Sequence, residues 1–164
     1  MDELSALRPR LEPLLPLLFL LALGFRCFPT NAATESWLQL PEVDVSVLEP
    51  AVAEQLRSLE ALTLDRLADE TVPLEEIAEP IGDLGRHYHA YGLDEAAASC
   101  YRIARRLNPQ AFQWPYLLGY LMQSTGDLHE AESAYLEALN LYRSVPQALL
   151  RLGEVYRDQG KPQA

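Results

Sequence analysis

The sequence has 164 residues, which is enough for one small domain or a short array of repeats. Its formal net charge of -11 at pH 7 argues against a sequence-independent nucleic-acid binder and against docking on anionic lipid, because both need a basic surface. The two cysteines, Cys27 and Cys100, give neither a disulfide framework nor the spacing of a metal site. From the charge we expect no nucleic-acid partner, and from the lack of such motifs we expect no metal or cofactor.

A hydrophobic run near the N-terminus has the length of the apolar region of a secretory signal peptide. Residues 14–25 carry no charge and are shorter than the about 20 apolar residues that span a bilayer. Thr30-Asn31-Ala32 offers a cleavage site. We therefore predict that residues 1–32 are a cleaved export signal, with an uncleaved membrane anchor or a buried helix as alternatives. Because Lys161 is the single lysine among 13 basic residues, a bias typical of GC-rich bacterial genomes, we expect a bacterial protein of the periplasm or cell envelope.

A linker and a lead-in helix follow. Residues 33–45 are predicted to form the linker, since Pro41 breaks regular structure there. Ser46 precedes Glu49 by three residues, which is the spacing of a helix-starting capping box. Apolar residues then recur at helical spacing: Leu48, Val52, Leu56, Leu59 and Leu67. This predicts an amphipathic lead-in helix within 46–70 that packs on the next hairpin; a partner-binding helix is the alternative.

The second half of the chain is repetitive at a fixed period of about 34 residues, which we call the repeat step. Three sets of residues keep that step: Gly85, Gly119 and Gly153; Gly92, Gly126 and Gly160; Leu84, Leu118 and Leu152. The pairs Ala97/Ala131, Tyr101/Tyr135, Ala104/Ala138 and Leu107/Leu141 keep it too. Agreement at so many positions in one register predicts tandem copies of one supersecondary unit.

Each repeated residue type has a packing role in a helical hairpin. The Leu-Gly pair leaves a gap in the first helix through which the second helix approaches closely. The glycine seven residues later ends the first helix in a left-handed conformation. Small alanines on both sides of Tyr101 and Tyr135 let a large ring interdigitate with the facing helix. Pro109 is expected to stop the second helix of the first hairpin.

The segments DLGRHYHAYGLDEAAASCYRIARRLNP and LLGYLMQSTGDLHEAESAYLEALNL resemble the tetratricopeptide repeat (TPR) family in their order of Leu-Gly, aromatic, Gly, Ala, aromatic and Ala. The resemblance implies an all-α fold: an α-solenoid of stacked antiparallel helix hairpins, here preceded by the lead-in helix. Its repeats would cover 78–111 and 112–145, with a partial unit at 146–164. The chain departs from the family pattern at Ile81 and Pro115, where the family has Trp, and at Met122 and Arg143.

The partial unit leaves two interpretations open. PQALLRLGEVYRDQG places Gln147, Arg151, Glu154 and Asp158 opposite its leucines, as in a capping helix with a polar outer side. Alternatively, the chain is a fragment whose tail begins another second helix. Self-association through the open end of this unit is a further possibility.

The resemblance also implies where a ligand sits, because the first helix of each hairpin lines the concave side of such arrays. The partner-binding groove is predicted to comprise Arg86, His89, Gln113, Tyr116, Tyr120, Gln123, Leu150 and Glu154, with Glu79, Gly82 and Arg157 as further groove-facing positions. Packing of the two tyrosines on the neighbouring hairpin is the alternative. The family's carboxylate clamp is not expected, since of its two positions Gly82 has no side chain and only Arg86, with Arg151 as a possible second cation, is basic.

No residue pattern points to catalysis. His87 and His89 lie two apart on a helix and therefore point to different sides, and the chain has no serine elbow motif and no phosphate loop. We expect Cys100 to be a packing residue. The sequence thus predicts a non-catalytic scaffold that binds a protein or peptide, with an accessory region of a larger enzyme or cofactor protein as the alternative.

Overall fold

A computed structural model describes residues 37–160, and all regular structure within that range is α-helical. Six helices follow one another: α1 (Pro50–Ala68), α2 (Leu74–Ala90), α3 (Asp94–Leu107), α4 (Gln113–Thr125), α5 (Leu128–Leu141) and α6 (Pro146–Asp158). The predicted all-α class of stacked helix hairpins is confirmed. The predicted signal at 1–32, the first residues of the linker and the tail 161–164 lie outside the described residues. Within 37–160 no helix has the length and apolarity needed to cross a membrane.

Residues 37–49 lack helical structure, both in the described part of the predicted linker and at 46–49, where the lead-in helix was predicted to begin, and they pack against the hydrophobic core. Val45 is buried, and Trp37, Leu38, Leu40 and Val43 are partly buried against the hydrophobic core. The Arg106 guanidinium near the end of α3 lies 5.5 Å from the centre of the Trp37 ring. This segment therefore contributes apolar surface to the fold.

The lead-in helix begins at Pro50, and the predicted capping box is wrong. Glu49 is the N-cap residue and its side chain makes no capping hydrogen bond. The backbone N–H of Ser46 instead donates to Asp44 Oδ1 at 2.9 Å, which closes a turn before the helix. Pro50 explains the later start, because proline fits the first helical position, where its missing N–H is not needed.

Helix α1 packs on α2, while Leu62 and Leu64 on its other sides are exposed. Leu56 of the predicted stripe is buried, together with Ala53 and Thr63, which the stripe did not include. The Thr63 hydroxyl donates to the Leu59 carbonyl at 2.8 Å, so its buried oxygen is satisfied inside the helix. A threonine can therefore occupy a core position, although the sequence pattern left this polar residue out of the apolar stripe.

Helices α2 and α3 form the first hairpin, α4 and α5 form the second, and α6 packs on α5. Helix α2 begins at Leu74, four residues before the predicted start of the first repeat. Gly92, Gly126 and Gly160 follow α2, α4 and α6 with φ of 74°, 91° and 71°. The prediction that these glycines take left-handed conformations is confirmed, and it fits the low steric cost of positive φ in glycine.

The close approach of second helices at the Leu-Gly pairs is also confirmed. A Cβ at Gly85 would lie 2.9 Å from the Cβ of Cys100 and 3.0 Å from the Tyr101 ring. A Cβ at Gly119 would lie 2.9 Å from the Tyr135 ring. Tyr101 and Tyr135 are fully buried, as are their flanking alanines. Each ring thus fills the space that its glycine leaves free.

Two ion pairs join the second helices of successive hairpins. The Arg102 guanidinium contacts both carboxylate oxygens of Glu130 at 2.8 and 2.5 Å. Arg105 lies 3.4 Å from Glu137. These pairs are partly exposed, so they align α3 with α5 while adding modestly to stability.

Candidate functional site

The exposed side of the first helices carries a continuous set of polar and aromatic side chains. We call this surface the inner face and define it by Arg86, His89, Tyr120, Gln123, Arg151 and Glu154. Helix α2 supplies the first two, α4 the next two and α6 the last two. Residues that are about one repeat step apart in sequence therefore meet on one surface, because the repeat brings equivalent helix positions side by side.

A row of three side chains crosses the inner face. The Tyr120 ring lies 5.7 Å from the His89 ring on one side. On the other side, the Arg151 guanidinium lies over the same ring at 5.0 Å from its centre. Tyr120 is still 39% exposed between these neighbours. The row thus combines an accessible aromatic ring with a cation held against it.

Buried tyrosine hydroxyls position the polar groups of the inner face from below. Tyr135 donates to Gln123 Oε1 at 3.0 Å, and the Tyr101 hydroxyl lies 3.4 Å from His89 Nδ1. The two contacts are equivalent, since each partner lies one repeat step from its counterpart. Burial raises the pKa of Tyr101 to about 12 and raises that of Tyr135 as well, so both hydroxyls keep their protons at neutral pH.

Glu154 links α4 to α6 on the same surface. Its Oε2 atom accepts from Gln123 Nε2 at 3.3 Å and from Arg151 Nη1 at 3.1 Å. The Arg151 side chain is thereby fixed by a carboxylate and by the Tyr120 ring. Side chains ordered in this way lose little conformational freedom when a partner binds.

Arg86 lies on the inner face, but its charge is engaged by neighbouring carboxylates. Its Nη2 atom donates to Glu79 at 2.9 Å and also to Asp83. Burial acts to lower the pKa of Arg86, and the hydrogen bonds to Glu79 and Asp83 outweigh it and raise the pKa above its ordinary value. Glu79 also accepts from Gln113 Nε2 at 3.1 Å. Arg86 is therefore less available to a ligand carboxylate than the sequence suggests.

The prediction that Gly82 faces the groove is wrong. The fully buried Trp114 ring lies directly over it, and a Cβ at Gly82 would overlap atoms of that ring. The Arg86 guanidinium covers the Trp114 ring at 5.2 Å from its centre. Near Gly82 the hydrophobic core therefore occupies the position at which the family resemblance predicts a groove.

The predicted tyrosine pair is divided between two roles. Tyr116 stacks on Phe112 at 5.5 Å and lies 5.9 Å from the Tyr135 ring, so it packs within its own hairpin. Tyr120 remains accessible. Of the residues predicted on the third unit, Leu150 is 65% exposed and Arg157 is bound to Asp158.

Sequence reading gave too little weight to Arg151 and did not consider Trp114 and Phe112. The sequence placed Arg151 in the polar stripe of a capping helix and as a possible second cation of a carboxylate clamp, whereas it lies against Tyr120. The position of Arg151 in the sequence could have indicated this contact. Glu154 lies one repeat step after Tyr120, and Arg151 precedes Glu154 by about one helical turn, on the same side of the helix. Trp114 precedes the family's tryptophan position, held here by Pro115, by one residue, so the family pattern did not identify Trp114 as a core residue.

The cysteine of the described region lies in the hydrophobic core. Cys100 is fully buried, and burial raises the pKa of its thiol to about 12, so the thiol is protonated at neutral pH. Between residues 37 and 160 no three His, Cys, Asp or Glu side chains are grouped to hold a metal ion.

No protein-family model and no curated protein matches the sequence. Among solved structures, the crystal structure of MamA is similar with a TM-score of 0.58 and 18% identity, over 74% of this chain and 68% of that chain. The Yersinia enterocolitica type III secretion chaperone SycD, in complex with a peptide of the translocator YopD, gives 0.44 and 16%, over 68% and 99% of the two chains. At these identities the likeness concerns the fold alone. The hairpins, the packing register and the likeness to MamA together show that the chain has a TPR-like helical-repeat fold.

Proposed function

We propose that this protein is a non-catalytic scaffold that binds a peptide or protein partner on its inner face. The observation that carries the proposal is the row of His89, Tyr120 and Arg151, in which an accessible ring is held between an imidazole and a cation. Tyrosine and arginine are enriched among the residues that dominate binding energy in protein interfaces. A rigid row of this kind suits a partner that brings both apolar and anionic groups.

The inner face is also preorganised. Glu154 accepts hydrogen bonds from both Gln123 and Arg151, and the buried Tyr135 hydroxyl donates to Gln123 from below. A partner that docks here orders few side chains, so more of the contact energy is available as affinity. The fold itself hosts many functions, and the proposal therefore rests on this surface.

The test begins with capture of partners from a bacterial envelope extract, using the wild-type chain as bait. Tyr120→Ala and Arg151→Ala should each weaken the captured partner by more than about 1 kcal/mol, measured by calorimetry. Tyr142→Ala is the matched control, because Tyr142 is exposed next to α5 and lies outside the inner face. Equal affinity of all three variants would place the binding site elsewhere.

Arg86→Ala should have a smaller effect than Arg151→Ala. The sequence alone suggests a loss of more than about 1 kcal/mol for Arg86. In the structure two carboxylates, Glu79 and Asp83, engage the Arg86 guanidinium, whereas one, Glu154, engages Arg151, so a partner gains less from Arg86. The ratio of the two losses tests whether the α4–α6 half of the inner face is the main contact region.

We further propose that the protein is exported to the periplasm or cell envelope through residues 1–32. The support is the uncharged run at 14–25 followed by Thr30-Asn31-Ala32. The segment 1–32 carries three acidic and three basic side chains, so cleavage would leave the formal side-chain charge at -11. N-terminal sequencing of the cellular protein should find a start near Ala33; an intact Met1 on a cytoplasmic product would contradict export.

A further inference from the structure

The middle helix of the inner face is uncharged. Helix α4 has no charged side chain, and its positions on this side are Gln113, Tyr116, Tyr120 and Gln123, which we call the central strip. These residues are three, four and three positions apart, so they follow one side of α4 over about 15 Å. Tyr120 is exposed and the other three are partly buried. A ligand on the central strip therefore meets two tyrosine rings between two amides.

The two helices that border the central strip present different charges. On α2, two carboxylates, Glu79 and Asp83, pair with one cation, Arg86. These carboxylate side chains are 53% and 43% exposed and the arginine is 39% exposed, so the accessible charge on this side is mainly negative. On α6, Arg151 is 38% exposed and its partner Glu154 only 26%. The more accessible charge on the α6 side is therefore that of the arginine.

The dimensions of the inner face fit an α-helix that lies along α4. Across the surface, the His89 ring and the Arg151 guanidinium lie 5.7 and 5.0 Å from the Tyr120 ring on its two sides. This spread is comparable to the diameter of a helix with its side chains, about 10–12 Å. Along the surface, Tyr116 and Tyr120 are one helical turn apart, so a docked helix meets one ring with each of its own turns. Recognition of an amphipathic helix in a groove uses anchors with this spacing.

We propose that the partner segment is an amphipathic α-helix with small and apolar residues on the central strip, basic residues over α2 and acidic residues over α6. The proposal rests on the peptide-binding function proposed above and adds the conformation and the charge pattern of the ligand. The charge pattern follows from complementarity, since basic groups meet Glu79 and Asp83, and a carboxylate meets Arg151. The chain's own uncharged run at 14–25 would offer a charge to neither side.

The probe is a fluorescein-labelled synthetic helix of about five turns, built from leucine, alanine, lysine and glutamate. In the segregated peptide, lysines line one flank of the apolar stripe and glutamates line the other. The mixed peptide has the same composition and the same stripe, but lysines and glutamates alternate on both flanks. Circular dichroism checks that the two peptides are equally helical. In fluorescence anisotropy with the full-length chain, the segregated peptide should bind about fivefold more tightly than the mixed one.

A third peptide tests the helical conformation. It is the segregated peptide with one central alanine replaced by proline, which breaks a helix in its interior. This peptide should bind about tenfold more weakly than the segregated one. Equal binding of the two would mean that the inner face accepts an extended chain, and it would overturn the proposal.

Two variants of the protein place the peptide on the inner face. Tyr120→Ala should weaken the segregated peptide, whereas Tyr142→Ala, at an exposed ring outside the inner face, should not. Glu79→Gln removes one accessible carboxylate from the α2 side, so it should weaken the segregated peptide about threefold and leave the mixed peptide nearly unchanged. Circular dichroism melting checks that the variants keep the fold.

Equal binding of the segregated and mixed peptides, or no effect of Tyr120→Ala or Glu79→Gln, would overturn the proposal. Self-association of the wild-type chain in sedimentation that Tyr120→Ala abolishes would also overturn it, because a second copy would then be the occupant. The wider function is tested separately. If Tyr120→Ala and Arg151→Ala still weaken the partner captured from extract, the binding function stands and only the helical, charge-segregated ligand is rejected.

Discussion

The three Leu-Gly pairs of this chain are identical in sequence and differ in their surroundings. Leu84-Gly85 and Leu118-Gly119 are covered by the second helices of their hairpins, and both leucines are fully buried. Leu152-Gly153 has no covering helix among the described residues. The comparison teaches that the pair itself encodes a receptor for a helix. The residues that come to lie over it decide whether that receptor becomes core or exposed surface.

The largest expected effect comes from removing the Trp114 side chain, which covers Gly82. Trp114 fills the space above Gly82 and is fully buried, so Trp114→Ala should lower the free energy of unfolding by about 3–5 kcal/mol. Urea unfolding followed by circular dichroism measures it. Tyr142→Ala, at a ring that is 67% exposed, is the control and should change stability by less than about 1 kcal/mol. A loss at Trp114 no larger than at Tyr142 would show that the cover is dispensable.

The comparison is sharpest when one methyl group is added at the covered and the open glycine. Gly119→Ala should destabilise the protein by about 1–3 kcal/mol, because its Cβ would press into the Tyr135 ring. Gly153→Ala should stabilise it by about 0.5–1 kcal/mol, because alanine favours the helix and meets nothing. Opposite signs in thermal or urea unfolding are the expected result; destabilisation at both positions would mean that Gly153 is covered as well.

A smaller effect should appear with pH at the covered thiol. Cys100 has its pKa raised by burial from an ordinary value of 9.0 to about 12. Above pH 9 the unfolded chain releases this proton and the folded chain keeps it, so stability falls as pH rises toward 12. Between pH 8 and pH 10 the wild type should lose about 1 kcal/mol more than Cys100→Ala. Parallel pH profiles for the two proteins in urea unfolding would contradict this burial effect.

The smallest effect concerns the ion pairs that distinguish the covered edge from the open one. Arg105 pairs with Glu137, and its equivalent at the open end is Leu139. Arg105→Leu should lower stability by about 0.2–1 kcal/mol, with a loss that shrinks at high salt because the pair is partly exposed. A double-mutant cycle with Glu137→Gln isolates the pair. A coupling energy that is independent of salt would argue against an electrostatic contribution.

Much of the fold follows from the sequence by local rules. The register of the repeats, the left-handed Gly92 and Gly126, and the burial of Tyr101 between alanines were all predictable. These features follow from the sequence because helix capping, the repeat period and the fit of each side chain depend on residues within one hairpin. The family resemblance likewise named five of the six inner-face residues, all except Arg151, while their role in binding stays a prediction.

Tertiary structure alone decided which of those positions are available. Gly82 and Arg86 were expected in a groove; Trp114 of the next hairpin covers the glycine, and Glu79 and Asp83 engage the arginine. The start of α1 was decided by Pro50 rather than by the spacing of Ser46 and Glu49, and the 37–45 segment proved to be packed rather than free. A residue's exposure depends on what neighbouring helices place against it, and that information is spread over the chain. The sequence thus determined the repeated Leu-Gly pairs and their register, and packing between hairpins decided that positions such as Gly82 and Arg86 are covered or engaged.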